Sequence, residues 1–107
     1  MKNDFNKNES ISIRIHIDDH SFLRQKAFES RSTIVETLSK IINTLKSEID
    51  KIYIPQYGKS KSKVKTKSVL VNSEDHEFLK EIAFHRNSRI IEVVKILITE
   101  YRRRNGE

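Results

Sequence analysis

The chain has 107 residues, 21 Lys and Arg against 15 Asp and Glu, a formal charge of +6 and an isoelectric point near 9.7. That length suits one compact unit and excludes a large multidomain enzyme, and the positive surplus points to an anionic partner. With no Cys, a disulfide framework, a thiolate nucleophile and a Cys-ligated zinc are excluded, and an intracellular, cytoplasmic setting is expected. No run approaches the roughly 18 consecutive apolar residues of a membrane helix, and no signal-peptide core follows the Lys- and Asn-rich start.

Residues 1–10 read as a flexible N-terminus. From Ile11 to Ile17 apolar and polar residues alternate with Ile at every inward position, the pattern of a half-buried strand. Asp18 offers an N-cap for a helix carrying Phe22, Leu23, Ala27 and Phe28. After a polar break at Glu29 to Ser32, Ile34, Val35, Leu38, Ile41, Ile42, Leu45 and Ile49 recur at helical spacing, which predicts an amphipathic helix of four to five turns.

Between Lys51 and Lys67 the character changes. Lys51, Lys59, Lys61, Lys63, Lys65 and Lys67 alternate mostly with Ser, Thr and Val, no acidic residue answers them, and Pro55 and Gly58 interrupt any helix. All six surplus charges fall here, because 1–50 and 68–107 are each balanced. The segment reads as a basic linker, either a solvated spacer or a strap along phosphates.

A shift of 56 residues superposes Asp19, His20, Phe22, Leu23, Ala27, Phe28, Ser32, Ile34, Glu36 and Ile42 on identical residues, ten within 24 aligned positions. The second half therefore repeats the first: a strand around Ser68 to Asn72, an N-cap at Ser73, a helix with Phe78, Leu79, Ile82, Ala83 and Phe84, and a longer helix with Ile90, Ile91, Val94, Leu97, Ile98 and Tyr101. One unit of about 40 residues buries too little surface to fold alone. Its single strand needs a partner, which the copy supplies as an antiparallel strand lying on the second helices of both.

Strand, short helix, Ser-bearing turn and longer amphipathic helix, twice over from Ile11 to about Ser47 and from Ser68 to about Arg104, resemble the ribbon-helix-helix DNA-binding regulators of the Arc, MetJ and CopG type. The tandem arrangement is similar to small regulators encoded by viruses of archaea, which would place the chain in a host cytoplasm. The resemblance implies a mainly α fold with a short antiparallel β-ribbon, in which units 11–50 and 68–107 form an intramolecular pseudo-dimer. It implies transcription regulation on double-stranded DNA, with the ribbon in the major groove and the protein able to form homo-oligomers along the duplex. No cofactor and no small-molecule substrate are implied.

On that reading the outward strand residues Ser12, Arg14 and His16, with Ser68, Leu70 and Asn72 on the copy, are the candidates for base contacts. Arg14 suits guanine O6 and N7, Asn72 suits adenine, and Leu70 a thymine methyl. At the starts of the long helices Ser30, Arg31 and Ser32, with Asn87, Ser88 and Arg89, are candidates for phosphate contacts, and Lys67 joins them. The same Ser and Asn residues also serve as ordinary helix caps. Arg102, Arg103 and Arg104 end the second long helix, where they complement its dipole or touch DNA.

Competing readings are weaker. His16, His20, His76 and His85 raise a metal site, but Asp19-His20 and Asp75-His76 fall in helix first turns, where hydrogen bonding is the commoner role. No Gly-rich phosphate loop, activated nucleophile or carboxylate pair appears, so an enzyme is not expected. RNA binding lacks an aromatic stacking face, since Tyr53 and Tyr57 fall in the linker and the Phe residues are assigned to the core. The chief alternative is a protein-interaction module, antitoxin-like or a helical adaptor, without sequence-specific readout.

Overall fold

In a computed structural model residues 10–55 and 65–106 are described. Alternation at Ile11, Ile13 and Ile15 gives strand β1 (Ser10–His16), followed directly by α1 (Ile17–Ser30) and α2 (Ile34–Lys46). A single 3₁₀ turn (Ile49–Lys51) follows, and the series then recurs as β2 (Thr66–Asn72), α3 (Ser73–His85) and α4 (Ile90–Arg104). Each strand and helix of the second half begins 56 residues after its counterpart, so the sequence repeat is also a structural one.

The two strands pair antiparallel with Ile13 opposite Val69 at the centre of the register, and those two residues are equivalent positions of the copies. Ile13, Ile15, Val69 and Val71 are buried beneath the ribbon, while Leu70 is exposed, which settles the facing of the second strand. Burying four such side chains stabilises the fold by about 1.5–3 kcal/mol each, before chain entropy is counted. Under β1 lies α4 and under β2 lies α2, so each copy's long helix supports the other copy's strand. Their buried rows are Leu38, Ile41, Ile42 and Leu45 on α2, and Val93, Val94, Leu97 and Ile98 on α4.

The reciprocity extends to the first helices. The guanidinium of Arg102 stacks 4.8 Å from the ring centre of Phe22, and the ammonium of Lys46 lies 5.2 Å from that of Phe78. Lys46 and Arg102 are equivalent residues, as are Phe22 and Phe78, so one cation–π contact occurs twice between the copies.

Neither helix pair is joined through a glycine. Helix α1 ends with Arg31 in the left-handed region (φ 54°), where the Ser32 N–H donates to the Ala27 carbonyl at 2.9 Å and the Arg31 N–H to the Phe28 carbonyl at 3.2 Å. Asn87 (φ 52°), Ser88, Ala83 and Phe84 repeat this Schellman closure after α3. Both turns close through main-chain groups at equivalent positions of the two copies.

Several expectations need correction. The caps are His16 and Asn72, one or two residues before Asp18 and Ser73, because each helix starts without a loop at the last strand residue. Helix α2 has 13 residues and stops at Lys46, leaving Ile49 in the 3₁₀ turn. The basic linker does not begin as a spacer. Ile52 and Ile54 are buried in the core, and the Arg86 guanidinium donates to the Ile49 and Ile52 carbonyls at 3.1 and 3.3 Å. At its far end Thr66 and Lys67 already belong to β2. Phe28 and Phe84 are 81% and 78% exposed and are not core residues. Residues 1–9, and Tyr57, Lys59, Lys61 and Lys63 of the linker, lie outside the described residues. Among the described residues no helix is long and apolar enough to cross a membrane.

Candidate nucleic-acid interface

Pleating sends alternate side chains of the ribbon away from the helices. Its outer face carries Ser10, Ser12 and Arg14 from β1 and Thr66, Ser68 and Leu70 from β2, all exposed except the half-buried Thr66. No carboxylate stands among them. Ser68 is directly opposite Arg14, and Leu70 opposite Ser12.

The Arg14 side chain lies across the strand gap. Its Nε donates to Thr66 Oγ1 at 2.9 Å and its Nη1 to Ser68 Oγ at 3.2 Å. Two of the five guanidinium N–H groups are so engaged, leaving three for an external acceptor. Leu70, 48% exposed, is the one large apolar side chain of this outer face.

Two of the six candidates for base contact stand elsewhere. His16 is only 9% exposed, with Nε2 3.4 Å from Glu92 Oε2, within ion-pair range but without hydrogen-bond geometry. The imidazole lies off the outer face and is directed at Glu92, at the start of α4. Asn72, its equivalent on β2, is half-buried and accepts the Asp75 N–H at 2.8 Å through Oδ1, capping α3. Ser12, Arg14, Ser68 and Leu70 are brought together. Ser10 and Thr66, absent from the expected set, complete the face because both strands begin earlier than the Ile and Val pattern indicates.

Beside His16 sits a buried acid, Asp19, that recurs in the second copy as Asp75, each with Oδ2 unpartnered among the described residues. Asp19 lies in the first turn of α1. Loss of hydration raises its pKa, against the smaller opposing pull of Lys95, His16 and Arg102. His20, one residue on, is shifted down by burial and by the nearby cations Lys67 and Arg24. Lys67 is exposed and lies opposite Ile15, at the α1 end of the ribbon and off its outer face.

The starts of the two long helices differ. Before α2, Thr33 and Glu36 form a complete capping box: the Glu36 N–H donates to Thr33 Oγ1 at 3.1 Å, and the Thr33 N–H to Glu36 Oε1 at 3.0 Å. A carboxylate therefore occupies that helix start. Of the candidates there, Ser30 donates to the Lys26 carbonyl at 2.6 Å, Ser32 contacts Thr37 Oγ1 at 3.3 Å, and Arg31 is exposed. Before α4, Arg89 occupies the cap position without a side-chain cap bond, and Glu92 leans towards His16 instead of back to the cap. Asn87 and Arg89 are exposed there, and Ser88 Oγ is buried without a partner among the described residues. The α4 start, set at the His16 end of the ribbon, is thus the better anion site.

The three C-terminal arginines are engaged within the fold. Arg104 bonds Glu100 at 2.8 Å and Glu48 at 2.6 Å, Arg103 also holds Glu100, and Arg102 covers Phe22. The hydrogen bonds from Arg103 and Arg104 hold the Glu100 carboxyl below its ordinary pKa. Although His16 and His20 are four residues apart, the first ends a strand and the second belongs to a helix. Among the described residues no three His, Asp or Glu side chains gather as metal ligands.

Set against known proteins, the chain matches no family model, no curated protein and no solved structure.

Proposed function

We propose that the chain is a tandem ribbon-helix-helix regulator, a pseudo-dimer within one polypeptide that lays its β-ribbon in the major groove of double-stranded DNA. The observation that carries this reading is the outer face of the ribbon: exposed, free of carboxylates, bearing Arg14 among hydroxyls, with its opposite side in the core. Two strands about 4.8 Å apart with their side chains fit a groove about 12 Å wide. Reciprocal support of each strand by the other copy's long helix holds the face rigid, which favours readout over adaptation.

Arg14 reads guanine through a bidentate contact worth about 1–3 kcal/mol of discrimination. Leu70, its equivalent on β2, offers a thymine methyl an apolar contact. The two strands therefore read unlike half-sites, and one chain recognises an asymmetric sequence. Arg89 with the α4 start, Arg31 and Lys67 supply phosphate contacts on the flanks. The lack of Cys suits a reducing cytoplasm.

Selection from random duplexes, followed by fluorescence anisotropy over a salt series, tests the reading. The expected outcome is one enriched sequence bound more tightly than random DNA, with affinity falling as salt rises. Equal affinity for every duplex would remove sequence-specific readout and favour the interaction module.

A further inference from the structure

The repeat leaves two matched apolar residues in solvent. Phe28 and Phe84 are equivalent, each lies near the end of its first helix, and burying either ring would remove a large apolar surface from water. Their surroundings have diverged. Phe28 shares a shallow groove of α1 with Ser21, Arg24 and Gln25, whereas the same positions of α3 put Glu77, Lys80 and Glu81 beside Phe84. One face therefore has a charge of +1 and the other −1. Lys80 is drawn to Glu77 at 3.7 Å. Arg24 and Glu81 have no ion-pair partner among the described residues.

We propose that copies of the chain associate head to tail, the Phe28 face of α1 on one copy docking against the Phe84 face of α3 on the next. Charge complementarity selects this pairing. Contact between two α1 faces would set Arg24 against Arg24, and contact between two α3 faces would join two surfaces that each carry a net −1, so both like-to-like dimers carry net repulsion. Within one chain the faces cannot meet. Helix α1 leaves the ribbon at His16, paired with Thr66, and α3 leaves at Asn72, paired with Ser10, so they start from opposite ends of the ribbon. A heterologous contact between such faces leaves one free face on each end of a dimer, so assembly continues to a ring or an open chain. One helix face on each side buries on the order of 1,000 Å² or less, the range of weak and reversible encounters.

The inference stands apart from duplex binding, and its test needs no DNA. Sedimentation velocity of the full chain from about 1 μM to about 1 mM should show a mass that grows with concentration beyond a dimer, less so at high salt. Phe28→Ala and Phe84→Ala should each stay monomeric, with unchanged circular dichroism because both rings are exposed. Mixed, they should form a one-to-one dimer that grows no further, since each retains the face the other lacks. Arg24→Glu should abolish growth, and adding Glu77→Lys and Glu81→Lys to that chain should restore it. A wild type monomeric throughout, or either Phe variant dimerising alone, would overturn the proposal.

Discussion

His16 and Asn72 occupy the same place in the two copies, the last residue of a strand and the cap of the helix that follows, yet they meet that role differently. Asn72 accepts a backbone N–H and closes its junction locally. His16 makes no cap bond, faces Glu92 of the other copy's long helix and lies beside the buried carboxyl of Asp19. Both junctions bury a first-turn carboxyl, Asp19 and Asp75, whose Oδ2 has no partner among the described residues, and the first junction differs in facing a charge brought from α4. Repetition has thus fixed the backbone and the apolar contacts, and divergence has acted on the polar residues above them.

The ribbon core offers the most severe test of that equivalence. Ile15 and Val71 are equivalent and fully buried. Ile15→Ala should lower stability by about 3 kcal/mol and Val71→Ala by about 2, the difference following the smaller side chain, as read by urea denaturation. A loss confined to one strand would show that the copies do not share the core evenly.

The junction comparison sharpens with pH. The folded pKa of Asp19 is raised, so its contribution to stability is present only below the ordinary carboxylate range and is lost as pH rises through the raised value. At neutral pH the ionised group weighs against folding. Asp19→Asn should therefore stabilise the chain by about 1 kcal/mol near pH 7, with the gain fading on acidification, in thermal melts at a series of pH values.

A smaller contrast separates the turns. Arg31 and Asn87 hold the same left-handed conformation, which a long branched-at-the-end side chain tolerates less well than Asn. Arg31→Gly should raise stability by about 0.5–1 kcal/mol and Asn87→Gly by only a few tenths. Equal gains would mean that the two closures are equally strained.

Much of this architecture was legible in the residues. Ile alternation and the 56-residue identity define the strands, their partners and the long helices, because burial imposes those periods directly. Polar detail was less legible. His16 follows the outward parity of Arg14, yet it is buried and faces Glu92, a residue distant in sequence. Serine carries little hydrophobic signal and Thr66 stands between Lys65 and Lys67, so the pattern of the sequence does not extend the strands to Ser10 and Thr66. Phe28 looks like a core residue by composition, but it lies six positions after Phe22 and so falls on another side of the helix. Ile52 and Ile54 are masked in the sequence by the Lys, Tyr and Pro around them, and Arg86, which holds the Ile49 and Ile52 carbonyls, comes from the other copy.

The most direct test of an asymmetric reading surface is base-by-base substitution of the selected duplex, with binding measured for wild type and Arg14→Ala. The variant should lose about 1–3 kcal/mol of discrimination at positions on one side of the site and keep its preference on the other, where Leu70 lies. A palindromic preference, or a uniform loss across all positions, would contradict that asymmetry.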